Sequence, residues 1–172
     1  MTFCLQCSHK LELKIPDDDN RKRLVCPSCS YIHYENPKII VGVLPYYKNK
    51  ILLCQRSIDP GYGLWTIPSG FMECNESVEE GAKREAFEEV GITCSDLNLF
   101  VIYSISRISQ VYMLFTCELG SDQFMVGPET LSAQFFLFND LPWDAIAFSS
   151  VTFALKNFIE NFPLPDSKVF IN

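Results

Sequence analysis

At 172 residues the chain is long enough for one sizeable hydrophobic core and one small module beside it. Apolar side chains make up 48% of it but never run to the roughly 18 in a row that a membrane helix needs, and MTFCLQCSHK lacks the apolar stretch of a secretory leader, so a reducing cytoplasm and no membrane partner are expected. The net charge of −7 lies wholly after residue 36, because residues 1–36 hold five basic and five acidic side chains; that balance argues against duplex nucleic acid as the main partner, since affinity there comes from a basic surface.

The chain opens with Cys4-x2-Cys7 and, eighteen residues on, Cys26-x2-Cys29. Two such knuckles supply four thiolates, enough to close a tetrahedral structural zinc site with no open position. Some thirty residues bury too little to fold alone, so the metal would supply the folding energy. Two disulfides are the competing reading, disfavoured without a secretory leader. Pro16-Asp17-Asp18-Asp19-Asn20 reads as a turn, and Arg21-Lys22-Arg23 beside it as part of a solvated hairpin.

Tyr34-Glu35-Asn36-Pro37 marks the expected boundary between a first module, 1–36, and a second, 37–172. Strands are expected at Lys38–Leu44 and Ile51–Arg56, joined by the turn Tyr47-Lys48-Asn49-Lys50. A Gly- and Pro-bearing loop, Ser57–Gly63, follows. Further strands rich in β-branched and aromatic residues are expected at Leu97–Ile105, Gln110–Leu119 and Ala133–Phe138, with a loop at Gly120–Thr130. A last helix is expected over Val151–Asn161, capped by Ser149 or Ser150 and stopped by Pro163 and Pro165. The order strands, helix, strands, helix suits an α/β class with a mixed sheet covered on both faces.

Between these strands lies Gly70–Ile92, GFMECNESVEEGAKREAFEEVGI. Ser77-Val78-Glu79-Glu80 has the form of a capping box, and Gly91 stands where a left-handed C-terminal cap belongs, so a helix is expected from about Ser77 to Gly91. Ala82, Ala86, Phe87 and Val90 would supply its apolar face, leaving the carboxylates outward. Glu85, Glu88 and Glu89 are spaced i, i+3 and i+4, which gathers three like charges on one face. An acidic solvated face is the bland reading; a cation that relieves the repulsion is the other, and hard oxygen ligands would select magnesium, manganese or calcium over zinc.

This stretch resembles the Nudix box, G-x5-E-x7-R-E-U-x-E-E-x-G-U, at every fixed position, with small Ala86 at the first bulky-aliphatic site. Gly63-Leu64-Trp65-Thr66-Ile67-Pro68-Ser69-Gly70 also looks like the family's approach to the box. The resemblance implies a Nudix α/β/α sandwich preceded by a small zinc ribbon. It implies hydrolysis of a nucleoside diphosphate linked to a group X, with magnesium or manganese as catalytic metal and zinc as structural metal. Carried over by position, Glu85, Glu88 and Glu89 match metal ligands, Arg84 matches the arginine that orients them, Glu76 matches its loop partner, and the Ser69 carbonyl matches a backbone ligand. The general base is either a box glutamate or Glu129 of Gly127-Pro128-Glu129-Thr130.

Strings outside the box, among them Tyr34-x-Asn36-Pro37-Lys38, Gly127-Pro128-Glu129 and Ala147-Phe148-Ser149-Ser150, resemble the plant-type FAD and ADP-ribose pyrophosphatases. The resemblance therefore implies a dinucleotide substrate, FAD or ADP-ribose, cleaved to AMP plus FMN or ribose 5-phosphate. Tyr62, Phe71 and Tyr112 could stack on adenine or flavin or serve only in packing, and Arg56 joins them as a substrate-binding candidate. NADH is a weaker candidate, because Ser109-Gln110-Val111-Tyr112-Met113 lacks the Pro-Trp-Pro of the NADH pyrophosphatases. A non-catalytic nucleotide-binding module is disfavoured by the intact box, and a ribbon that binds RNA by the acidic balance. Dimers are common in the family, so a homodimer is one option. Cys54, Cys74, Cys94 and Cys117 are read as structural thiols.

Overall fold

The fold is taken from a computed structural model, in which residues 3–164 and 168–172 are described. Pro165, expected as a helix stop, lies outside them. The chain divides into two compact units, Met1–Pro37 and Lys38–Asn172.

The first unit is an antiparallel three-stranded sheet of β1 (Glu12–Lys14), β2 (Arg23–Val25) and β3 (Ile32–His33). Its core is small: Cys4, Leu11 and Cys26, with Leu24 and Tyr31 against them. The two cysteine knuckles are built alike. Ser8 N–H donates to the Cys4 carbonyl and Ser30 N–H to the Cys26 carbonyl, and Ser8 and Ser30 both take positive φ, 58° and 60°. The expected hairpin is present, with Asp19 Oδ2 accepting from Arg23 Nε at 3.0 Å.

The second unit is one mixed sheet between two helices. Its strands are β4 (Lys38–Tyr47), β5 (Lys50–Arg56), β6 (Trp65–Thr66), β7 (Ser69–Phe71), β8 (Asn98–Ile105), β9 (Gln110–Glu118), β10 (Thr130–Leu137) and β11 (Phe170–Ile171). The main path runs β10-β5-β4-β9-β8-β11, with β4 parallel to β9 and β11 parallel to β8. The central strands alternate between two cores, as strands buried on both faces do. Ile40, Leu44, Ile51, Leu53 and Leu114 pack with Val151, Leu155 and Phe158 of α2 (Ser149–Glu160). Val41, Val43, Leu52, Cys54 and Phe115 pack with Ala82, Ala86 and Val90 of α1 (Val78–Val90). No described helix is long and apolar enough to cross a membrane.

One irregularity positions the site. β4 and β5 pair only at their hairpin end, Tyr46 with Ile51 and Tyr47 with Lys50. Beyond it they part, and the segment from Trp65 to Phe71 fills the gap. β6 pairs with β5, β7 pairs with β4, and Val43 N–H donates to the Pro68 carbonyl. Ser69 and Gly70 are thereby brought beneath α1.

The structure corrects three expectations. Phe87 is exposed: the buried stripe of α1 is Ala82, Ala86 and Val90 at four-residue spacing, and Phe87 lies a residue off it. The last helix begins at Ser149, with Phe148 as its N-cap and no side-chain cap; Ser150 is buried and its hydroxyl has no partner among the described residues. And the α1 carboxylates do not all point outward, as follows.

Candidate active site

Helix α1 is fixed at both ends. The Ser77 hydroxyl accepts from Glu80 N–H at 3.2 Å, and Glu80 Oε2 accepts from Ser77 N–H at 2.8 Å. Gly91 has φ 63° and donates to the carbonyls of Ala86 and Phe87. This register sends Glu85 and Glu89 over the Ser69–Gly70 corner. Gly70 is needed there for space, because a Cβ would meet the Glu85 carboxylate.

Arg84 organises the cluster with all five of its N–H donors. Two go to the Glu76 carboxylate, at 3.0 and 2.8 Å. One goes to Glu85 Oε1 at 2.7 Å, one to Glu88 Oε2 at 3.1 Å and one to the Phe71 carbonyl at 3.1 Å. Glu76 also accepts from Glu73 N–H at 2.7 Å. The Arg84 hydrogen bonds, then that N–H, hold its carboxyl down at about 2. Glu76 in turn raises the Arg84 guanidinium above its already high value.

Glu89 differs from its neighbours in having no arginine contact. Its Oε2 accepts from Ser69 N–H at 3.2 Å and from the buried Cys54 thiol at 3.4 Å. Burial raises its carboxyl to about 7, with Glu85 adding to the rise. Glu85 is raised too, by burial first. Glu88 is exposed. Cys54 is more than a structural thiol, since it holds one oxygen of Glu89 and leaves the other free. Strand alternation carried that signal: Leu52 and Cys54 share the α1 face of β5.

Glu85, Glu88, Glu89 and Glu129 line one cavity of about 590 Å³. The loop that carries Glu129 is clipped to the end of α1, with Met125 N–H on the Val90 carbonyl at 3.0 Å and Gly127 N–H on the Glu89 carbonyl at 2.9 Å. Among the described residues the Glu129 carboxylate makes no hydrogen bond; only its carbonyl does, accepting from the Ser57 hydroxyl.

Four substrate-binding candidates fall in different places. Tyr62 and Phe71 are exposed, and Lys38 Nζ lies 5.3 Å from the Phe71 ring centroid. Arg56 lies 4.8 Å from the Phe148 ring, with its Nε on the Pro60 carbonyl at 2.8 Å. Tyr112 is 9% exposed within the α2-side core, and its hydroxyl donates to Gln110 Oε1. It shares the parity of Leu114 along β9 and so is no stacking platform.

Each donor set is tested for a metal by its own geometry. The Sγ atoms of Cys4, Cys7, Cys26 and Cys29 lie within 4.8 Å of one another, with contacts of 3.5, 3.5 and 3.6 Å. A tetrahedron of zinc–sulfur bonds has edges of about 3.8 Å, so these thiols fit zinc. The box carboxylates are hard oxygen donors with a free oxygen on Glu89, which fits a small divalent cation.

The NUDIX domain family matches residues 36–156, and its Nudix N-terminal zinc-ribbon family matches residues 2–35. An ADP-ribose pyrophosphatase of Methanocaldococcus jannaschii is 33% identical over 116 residues, 65% of this chain and 69% of that protein. An NAD-capped RNA hydrolase NudC of Vibrio atlanticus is 32% identical over 145 residues, 83% of this chain; the chain spans 51% of that protein's length. A solved NUDIX hydrolase from Nitrosomonas europaea superposes with a TM-score of 0.91 at 42% identity, over 100% of this chain and 99% of that one.

Proposed function

Since this chain belongs to the NUDIX family, we propose that it is a metal-dependent pyrophosphatase acting on adenylate-containing dinucleotides, built as a zinc-ribbon module of residues 1–36 ahead of a hydrolase module of residues 37–172. FAD or ADP-ribose would be cleaved to AMP plus FMN or ribose 5-phosphate. The observation that carries this reading is the meeting of Glu85, Glu88, Glu89 and Glu129 around one open cavity.

Glu85, Glu88 and Glu89, with the Ser69 carbonyl, would hold magnesium or manganese. The bound cation would supply positive charge against that developing on the diphosphate oxygens. Arg84 fixes Glu85 and Glu88 while Ser69 and Cys54 fix Glu89, so the carboxylates need no reorganisation when substrate arrives. Glu76 keeps Arg84 in place. Glu129, its carboxylate uncommitted, takes the proton of the attacking water. Cys4, Cys7, Cys26 and Cys29 would hold zinc as a structural closure of the first unit.

The test is hydrolysis of FAD, ADP-ribose and NADH with magnesium or manganese, following AMP by chromatography. AMP release that disappears in Glu89→Gln supports the reading. Failure of a folded, metal-loaded protein to cleave any of them would sink it. Likeness to the NudC relative favours a second reading, an NAD-type substrate, against which Gln110-Val111-Tyr112 stands. Turnover of NADH above FAD and ADP-ribose would select it.

A further inference from the structure

Two unlike sets of side chains line the cavity. One is the four glutamates. The other is Phe87 on α1 with Met125 and Val126 on the facing loop, and these three are 58%, 67% and 48% exposed. Phe87 is set by the helix register, one residue off the buried stripe. Met125 and Val126 are set by the loop's anchoring: Phe124 packs on Phe135 at 5.8 Å between centroids, and the Met125 and Gly127 N–H groups bond to the end of α1. A Cβ on Gly127 would run into the Glu88 carbonyl, so the close seating of the loop depends on that glycine. The apolar wall is thus held in place. It offers no side-chain donor, and the N–H groups of Met125 and Gly127 are already spent.

We propose that Phe87, Met125 and Val126 form the subsite for the group on the far side of the diphosphate from AMP, and that they select a planar aromatic ring system there. This rests on the pyrophosphatase reading. A ring has the shape to lie against Phe87 and gains from thioether contact with Met125. A polyol such as the terminal ribose of ADP-ribose would lose its water against the same side chains, none of which donates to its hydroxyls. The size is sufficient: about 590 Å³ lies within the range of sites that enclose drug-sized ligands.

The adenine has a better place at Arg56. There Arg56 lies on Phe148, which packs with the α2-side core, whereas Phe87 stands on α1 across the sheet. Arg56 stands on β5 two residues beyond Cys54, whose thiol donates to Glu89 at 3.4 Å. Apart from the Nε bond to Pro60, its guanidinium makes no hydrogen bond among the described residues. A cation with free donors suits a base edge and a phosphate; a bare apolar wall does not. The chain is therefore built to prefer a flavin-type dinucleotide over ADP-ribose.

The experiment compares kcat/KM for FAD and ADP-ribose in the wild type and in Phe87→Ala and Met125→Ala. Both side chains are exposed, so both variants should fold, and thermal melting verifies it. The FAD to ADP-ribose ratio should fall about tenfold in Phe87→Ala, the scale of one lost ring contact. FMN alone should bind the wild type more tightly than Phe87→Ala, read by flavin fluorescence without turnover. An unchanged ratio overturns the subsite, whether because both substrates fall together or because neither moves. Cleavage of ADP-ribose without FAD by the wild type overturns it while leaving the pyrophosphatase reading intact. Cleavage of neither overturns both.

Discussion

Glu89 is held in a place that disfavours its charge, and replacing it by glutamine exposes the cost. Burial raises its carboxyl from the ordinary 4.5 to about 7. Between those values the folded chain binds more proton than the unfolded chain, so folding stability falls as pH rises. The loss begins near the unfolded value and is complete once pH passes the folded one. Glutamine keeps an oxygen to accept from Ser69 and Cys54 but does not titrate. The gap in stability between Glu89→Gln and wild type should therefore widen by about 2–3 kcal/mol from pH 5 to pH 8 in magnesium-free buffer. With a urea slope of about 2 kcal/mol per molar, the midpoints should separate by roughly 1 M more at pH 8 than at pH 5. The ribbon unit is common to both chains and cancels. Magnesium at pH 8 should stabilise the wild type and leave the variant nearly unmoved, since only an ionised Glu89 completes the cation site. Urea melts at the two pH values provide the assay. Parallel pH dependence of the two chains would refute the reasoning, because Glu89 would then titrate as an ordinary glutamate.

Arg84→Lys should lower kcat by on the order of a hundredfold with the fold retained, because an ammonium cannot reproduce five N–H bonds in a fixed fork; wild-type kcat in the lysine variant would contradict the organising role. Gly127→Ala should cost on the order of a hundredfold in turnover, since its Cβ forces the Glu129 loop off α1; normal turnover would remove Glu129 from the mechanism. Cys26→Ser should release zinc and make residues before Lys38 sensitive to protease while the second unit stays resistant; unchanged zinc content, measured by atomic absorption, would count against the four-thiolate site.

What could be read from the chain, and what could not, divides by the range of the cause. The ends of α1 were legible because caps are local: Ser77, Glu80 and Gly91 act within one turn of themselves. The ribbon knuckles were legible because each pair of thiols is set by its own short turn. The strands β6, β7 and β11 were not foreseen, since two or three residues carry no period and are strands only by virtue of partners elsewhere in the chain. Tyr112 had two readings, stacking or packing, because an aromatic in a strand reads the same on either face; parity with Leu114 against α2 selects packing.

The carboxylates show the same division within a single helix. Their spacing puts Glu85, Glu88 and Glu89 on one side, and that much held. It cannot say that Glu88 meets solvent while Glu89 sinks against Ser69 and Cys54, because the gap that receives Glu89 arises from the parting of β4 and β5 some thirty residues earlier. A buried acid without a basic partner is costly to any fold that does not use it. Arg84 lies one turn away and is fully spent on Glu76, Glu85, Glu88 and Phe71. No basic side chain hydrogen-bonds to Glu89, and Arg56 reaches it only through space, so a divalent cation would balance its charge where a solvated acidic face would require none.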